Sequence, residues 1–179
     1  METRTLEQLK TQAKSGDAQA CYELYQEYKN GIHVTENADT AQNWLDRAID
    51  LNHPEALLVR GLSLLSNGST EDALEYLEAA SQENCLQAAY ILGQFYLGNI
   101  EKMPEEYINT DLGLRQLYEA ATKGSAEAAV MLGKCFYTGK WVTRNEMLAV
   151  HFLEMAQASG SDEAGLLLDE IHRIVTELN

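Results

Sequence analysis

The sequence predicts an all-α protein whose paired helices stack into a right-handed α-α superhelix. The 179-residue chain is rich in Ala, Leu, Glu and Gln and holds only two prolines, a composition that favours helix over strand. A helical run begins with alanine five times, at intervals of 36, 32, 40 and 36 residues. Such a period is typical of two-helix repeats, which bury their apolar faces only by stacking. The alanines are Ala20, Ala56, Ala88, Ala128 and Ala164.

The helix preceding each of these alanines has a recognisable end. Four residues before each alanine stands a glycine or an asparagine, the two residue types that best tolerate positive φ. We therefore expect helices to end at Gly16, Asn52, Asn84, Gly124 and Gly160.

The second helix of each repeat carries an apolar stripe. In one copy the stripe is Ala73, Tyr76, Leu77 and Ala80, and the same offsets of 0, 3, 4 and 7 recur in the other three copies. These offsets place all four side chains on one helix face. Alternating large and small residues predict close packing against an antiparallel neighbour.

The first helix of three repeats carries a glycine at the same offset, at Gly61, Gly93 and Gly133. A mid-helix glycine costs about 1 kcal/mol relative to alanine. A recurring glycine therefore predicts that another helix presses against the backbone at this position in each repeat.

The combined pattern AxxxLGxxYxxG, a loop, then AxxWLxxAxxxG resembles the Sel-one-like (SLR) repeat, a relative of the tetratricopeptide repeat. The resemblance covers nearly the whole chain and implies one domain, residues 1–179. Its expected parts are a capping helix at 4–16, repeats at about 17–52, 53–84, 85–124 and 125–160, and a closing helix at 161–179.

Three features depart from the family pattern. Tyr25 replaces the glycine of the first repeat, which should push its two helices apart or turn the ring toward solvent. Arg60 stands where the other repeats carry leucine, so the second repeat must seat its helix differently. The third repeat has an enlarged connection at 98–113, whereas the second has the short SNGST.

The resemblance implies a non-catalytic protein–protein interaction module, an adaptor or regulator that binds a partner's peptide or helix on its concave face. Transferring the groove positions of the tetratricopeptide arrangement onto this sequence gives a mixed aromatic, amide and aliphatic set, with Trp141 as an edge contact or a plug between repeats. The set is Tyr22, Gln26, Leu58, Leu62, Leu65, Tyr90, Gln94, Lys134 and Tyr137.

The second repeat's leucines admit two interpretations. Leu58, Leu62 and Leu65 make its first helix apolar nearly all round. Either tightly curved neighbours bury the helix on both sides, or these side chains form an apolar floor for a partner.

The closing helix carries a wide apolar set, which either packs wholly on the fourth repeat or leaves a strip free for a homodimer or a partner helix. Self-assembly through this helix is therefore an alternative function. The set is Leu167, Leu168, Ile171, Ile174, Val175 and Leu178.

Charge and motifs exclude several other classes. A formal charge of −15 repels phosphate backbones and anionic lipids, so we expect neither nucleic acid nor membrane as partner. The acidity serves solubility or attracts a basic or amphipathic partner segment. No apolar leader or membrane span is present in the sequence, which predicts a cytoplasmic protein.

Catalytic and metal-binding motifs are also missing from the sequence, so we expect no cofactor, no metal and no enzyme activity. Cys21, Cys85 and Cys135 lack the regular pairing of the secreted relatives named as β-lactamase-like hydrolases. A hydrolase of that kind is therefore the less favoured alternative.

Overall fold

A computed structural model describes residues 5–100 and 104–177, with side chains up to residue 173. The all-α prediction is confirmed, because the described residues form ten α-helices and one 3-10 helix without any strand. The α-helices are α1 (Leu6–Lys14), α2 (Ala18–Asn30), α3 (Ala38–Asp50), α4 (Pro54–Ser66), α5 (Thr70–Gln82), α6 (Leu86–Tyr96), α7 (Thr110–Thr122), α8 (Ala126–Thr138), α9 (Glu146–Ala158) and α10 (Asp162–Glu177), and the 3-10 helix is Glu105–Tyr107.

The chain divides into two compact units, an N-terminal unit Met1–Cys85 and a C-terminal unit Leu86–Asn179. In the N-terminal unit α2 pairs with α3 and α4 with α5, while α1 packs on α2 and α3 on α4. In the C-terminal unit α6 pairs with α7 and α8 with α9, while α7 packs on α8 and α10 on α9. Each unit thus consists of two-helix repeats with one additional helix.

All five predicted helix ends have the expected left-handed backbone. The values of φ are 93° at Gly16, 55° at Asn52, 64° at Asn84, 102° at Gly124 and 92° at Gly160. Glycine and asparagine adopt this conformation at least cost. The repeat spacing therefore follows directly from where the chain stops each second helix.

The helix starts are capped by short polar side chains. Asp17, Asn37, Asn109, Ser125 and Asn145 each accept a hydrogen bond from a backbone N–H in the first turn of the following helix. Such caps satisfy donors that the helix itself leaves unpaired.

The three mid-helix glycines lie in the predicted close contacts. A Cβ atom added to Gly61, Gly93 or Gly133 would come within 2.8, 2.6 and 2.7 Å, respectively, of the Cγ atom of a leucine on the paired helix. Those leucines are Leu77, Leu117 and Leu153, the large members of the predicted apolar stripe. Glycine is therefore required because the paired helix occupies the space of a side chain.

Tyr25 corrects one expectation. Its ring does not turn toward solvent, because only 7% of the residue is exposed and it belongs to the same buried cluster as Leu24 and Leu45. Removing an aromatic ring from water is strongly favourable, and this unit accommodates the ring in its core. The nearby Arg60 forms an ion pair with Asp46 of α3.

The closing helix α10 buries part of its predicted apolar set. Leu168 and Ile171 are buried and Leu167 packs partly against the same core. Leu166, which was not predicted, is 71% exposed. The side chains of Ile174 and Val175, and all of Leu178, lie outside the described residues. Across residues 5–100 and 104–177, none of the helices combines the length and the apolar character needed to cross a bilayer.

Candidate functional site

The C-terminal unit contains a cleft of about 350 Å³. Its walls come from α6, α8, the start of α10 and the loop after α8. Three of the predicted partner-binding residues, Tyr90, Gln94 and Lys134, line it together with Trp141, the predicted edge contact. The other lining residues are Asn99, Glu127, Val130, Met131, Cys135, Thr138, Lys140 and Glu163.

The helix register explains why these side chains meet. On α6 the residues Ala88 and Leu92 are fully buried. Tyr90 follows Ala88 by two residues, and Gln94 follows Leu92 by two. Tyr90 and Gln94, four residues apart, therefore lie together on a different face of α6. Val130 and Lys134 hold the equivalent positions on α8. Each helix therefore packs one face into the core and presents an adjoining face to the cleft, and Val130 belongs to both.

Tyr90 and Gln94 are joined by a hydrogen bond in which Gln94 Nε2 donates to the Tyr90 hydroxyl at 2.8 Å. Burial raises the pKa of Tyr90, and the carboxylates of Glu127 and Glu163 raise it further, while Lys134 and the Gln94 hydrogen bond act in the opposite direction. The hydroxyl is therefore protonated near neutral pH. It presents a neutral polar tip to any ligand in the cleft.

Lys134 crosses from α8 to α10, where its Nζ atom lies 2.5 Å from Glu163 Oε1. Both side chains are about half exposed, at 50% and 59%, so the ion pair adds little to stability. The two opposite charges neutralise each other, so this pair adds no net charge to the lining of the cleft.

The cleft floor is apolar. Val130, Met131 and Cys135 are all buried on α8. Burial raises the pKa of the Cys135 thiol, an effect that Lys140 partly opposes. The thiol therefore stays protonated at neutral pH and behaves as a small apolar group.

Trp141 closes one end of the cleft. It follows α8 in a left-handed backbone conformation with φ of 66°, and its half-buried ring packs against the core of the C-terminal unit. The Lys140 Nζ atom lies 3.8 Å from the ring centroid, a cation–π arrangement. The ring therefore contacts the core on one side and lines the cleft on the other.

Tyr137, the other prediction on α8, does not line this cleft. Its ring lies 5.6 Å from the Arg144 guanidinium carbon, and it packs partly against the core. Sequence reasoning also missed Glu163, which reaches the cleft from α10. No periodicity within a repeat indicates how the following helix docks.

The five predicted residues of the N-terminal unit are less concentrated. The Tyr22 ring stacks on His53, with centroids 4.6 Å apart, and Gln26 is exposed. Leu58 is only 7% exposed and Leu62 is 40% exposed, with Leu65 between them in burial. Leu58 is thus a core residue, so a continuous apolar floor across all three leucines is not present.

A second cleft, of about 560 Å³, lies in the N-terminal unit, on the side lined by Tyr25, Lys29 and Arg60. It contains none of the five residues predicted for this unit. Among the described residues, no group of three or more His, Cys, Asp or Glu side chains is arranged to hold a metal ion.

Comparison with family models identifies two segments. Residues 126–161 match the Sel1 repeat, and residues 34–105 match subunit 3 of the anaphase-promoting complex, or cyclosome, a tetratricopeptide-like family. Residues 126–161 include α8, which forms the cleft floor. No curated protein matches the chain.

Solved structures give the same fold. A Sel1 repeat protein from Oxalobacter formigenes is 25% identical with a TM-score of 0.78, over 92% of this chain and 48% of that one. A protective antigen of uropathogenic Escherichia coli with an SLR fold is 26% identical with a TM-score of 0.76, over 90% and 35%. Cysteine-rich protein B of Helicobacter pylori is 26% identical with a TM-score of 0.54, over 74% and 96%.

The chain therefore resembles Sel1-like repeat proteins, as the sequence predicted: residues 126–161 match the Sel1 repeat, and solved Sel1 repeat proteins have the same fold. It spans about half the length of the Oxalobacter protein and about a third of the Escherichia coli protein. Repeats of this class form α-solenoids, and they commonly mediate protein–protein interaction.

Proposed function

We propose that this protein is a non-catalytic interaction module, an adaptor or regulator, that binds a segment of a partner protein in the cleft between α6, α8 and α10. The observation that carries the proposal is the convergence of Tyr90, Gln94, Lys134 and Trp141 on one cleft of about 350 Å³. The repeat fold supports a protein partner, because proteins of this class commonly mediate such contacts.

The chemistry of the cleft suits a peptide. Val130, Met131 and Cys135 offer a buried apolar floor for one or two side chains, and Trp141 extends that surface. The Gln94 amide can pair with a peptide backbone, since it both donates and accepts hydrogen bonds. Aromatic anchors surrounded by polar groups are typical of the residues that dominate binding energy.

The wider setting of the proposal is a basic or amphipathic partner segment in the cytoplasm. The net charge of −15 would speed the encounter with a basic partner. All three cysteines are free and buried, which is usual for proteins of reducing compartments.

Site-specific photo-crosslinking tests this function. A benzophenone amino acid at Thr138, an exposed lining residue of the cleft, should capture a partner in the native cell. The same group at Glu119, which is exposed on α7 and does not line the cleft, should not capture it. Mass spectrometry of the Thr138 adduct would then identify the partner and the cross-linked segment.

A matched pair of tyrosine substitutions separates binding from folding. Tyr90→Ala should abolish the Thr138 cross-link, whereas Tyr107→Ala, at a half-buried tyrosine of the same unit outside the cleft, should preserve it. Helical circular dichroism should be unchanged in both variants. An adduct that survives Tyr90→Ala, or forms equally well from Glu119, would contradict the proposed site.

A further inference from the structure

The cleft is electrically polarised along α8. Glu127 lies in the first turn of this helix, and Lys140 lies two residues beyond its last residue. Both side chains line the cleft. Between them, Lys134 and Glu163 neutralise each other across a distance of 2.5 Å. Glu127 and Lys140 therefore set opposite signs at the two ends of one binding surface.

The acidic end surrounds the Tyr90 hydroxyl. Glu127, Glu163 and Lys134 are the charged groups that act on this hydroxyl, two carboxylates against one ammonium. Glu127 is exposed, and its Oε2 atom accepts a hydrogen bond from Ser125 Oγ at 3.2 Å. A cationic group of a ligand can reach this carboxylate directly.

The basic end is formed at Trp141. The Lys140 ammonium lies over the indole face at 3.8 Å from its centroid. It is also the charged group that acts most strongly on Cys135 of the cleft floor. A ligand carboxylate at this end would meet an ammonium and an aromatic edge, both of which favour a negative charge.

We propose that the occupant of the cleft is an extended peptide segment with opposite charges at its two ends, an inference that rests on the proposed function. A Lys or Arg of the partner binds at Tyr90 and Glu127, and an Asp or Glu binds at Lys140. An aliphatic or aromatic residue between them packs on the Val130 floor.

The spacing of the two charges follows from the helix. Lys140 follows Glu127 by thirteen positions. The eleven positions within α8 rise about 16 Å at about 1.5 Å per residue, and the two residues beyond the helix bring the separation to roughly 20 Å. An extended chain covers that length in about six residues. An extended backbone also leaves its N–H and C=O groups available to the side-chain amides of Gln94 and Asn99, which both line the cleft.

Selection from a phage-displayed library of random decapeptides tests this charge pattern on the whole chain. The wild-type protein should enrich peptides with one basic and one acidic residue about six positions apart. Glu127→Lys makes both ends positive and should enrich peptides with two acidic residues. Lys140→Glu makes both ends negative and should enrich peptides with two basic residues. This comparison does not depend on the direction in which the peptide binds.

Asp111→Lys provides the matched control. Asp111 is exposed at the second position of α7, as Glu127 is at the second position of α8, but it does not line the cleft. Both substitutions thus place a positive charge in the first turn of a helix. Asp111→Lys should enrich the wild-type peptides, and synthetic copies should bind with unchanged affinity. The same peptides should bind at least tenfold more weakly to Glu127→Lys at low salt.

The outcomes distinguish the two proposals. If the enriched peptides lose binding on Tyr90→Ala but keep the same charges on all three proteins, the cleft binds peptides and the charge assignment is wrong. If no enriched peptide depends on Tyr90, the proposed function itself is contradicted. Affinity for the paired peptides should also fall with added salt, because exposed charge contacts are screened.

Discussion

Gly93 of α6 lies directly against Leu117 of α7: a Cβ atom added to the glycine would stand 2.6 Å from both Cγ and Cδ2 of the leucine. Leu117 is fully buried, so the leucine has little room to move away. The helix pair that supports the Tyr90 side of the cleft is therefore held at a separation that only glycine permits.

Gly93→Ala should destabilise the protein even though alanine is the better helix former. The propensity gain is up to about 1 kcal/mol, whereas forcing a methyl group into a packed core typically costs 1–3 kcal/mol, roughly. A contact as short as 2.6 Å places this site at the upper end of that range. We therefore expect the free energy of unfolding to fall by about 2 kcal/mol net of the propensity gain. Urea denaturation followed by circular dichroism measures it.

Gly165→Ala is the matched control on α10. Its added Cβ would meet only the Nε2 atom of the Gln157 side chain, at 3.1 Å, and that exposed side chain can move aside. This variant should be as stable as the wild type or more stable, by up to about 1 kcal/mol. Equal stability of the two alanine variants would show that helix spacing does not explain the glycine at position 93.

The contrast between Gly93 and Tyr25 shows what the sequence could and could not predict. The helix ends and the glycine contacts repeat at fixed offsets, so local periodicity was sufficient to predict them. Tyr25 breaks the period, and its burial depends on how much space the N-terminal unit leaves around α2 and α3. That space is a property of three-dimensional packing.

The candidate site divides in the same way. Tyr90, Gln94 and Lys134 line one cleft because the helix register places them at matching offsets on α6 and α8, on a different face from the fully buried Ala88 and Leu92. Glu163 belongs to the next helix, and its position depends on how α10 docks. Leu58 was predicted as a partner contact from its register, yet only 7% of it is exposed, because the helix register does not show which side chains the packing covers.

His53 should make stability depend on pH. It is 5% exposed, its Nε2 atom lies 2.9 Å from the Oε1 atom of Gln19, and its ring stacks on that of Tyr22. Its Nδ1 atom lies 3.3 Å from Glu55 Oε2 but makes no hydrogen bond. Burial lowers the pKa of His53 from its usual 6.5, against the opposing charges of Glu55, Asp17 and Glu23.

Below about pH 6.5 the unfolded chain takes up a proton at this histidine before the folded protein does, so acidification favours unfolding. We expect His53→Asn to be less stable than the wild type at pH 7.5, because it loses the ring stacking. The difference between the two should shrink at pH 5.5. Urea midpoints at both pH values measure it, and a difference that grows on acidification would contradict this account.

Leu166 tests self-association through the closing helix. It is 71% exposed on α10, while Leu168 and Ile171 of the same helix are buried against the core. Among the α10 side chains that the structure describes, up to residue 173, one strongly exposed leucine is a small apolar surface compared with the roughly 800 Å² per partner of a standard interface. We expect a monomer by light scattering at micromolar concentration, unchanged by Leu166→Asp. A dimer that dissociates in this variant would support the self-assembling alternative.

Trp141 should contribute more to binding than to stability. Its backbone adopts φ of 66°, a conformation that costs a residue other than glycine about 1 kcal/mol. Trp141→Gly removes this cost and also removes the packing of a half-buried ring, so the free energy of unfolding should change by less than about 1 kcal/mol. Trp141→Ala loses the ring but keeps the strained backbone, and should be about 1 kcal/mol less stable than Trp141→Gly. Both variants should bind Tyr90-dependent peptides at least tenfold more weakly, measured by fluorescence anisotropy. If Trp141→Gly binds these peptides as tightly as the wild type does, the indole only fills space beside the core and is not part of the binding surface.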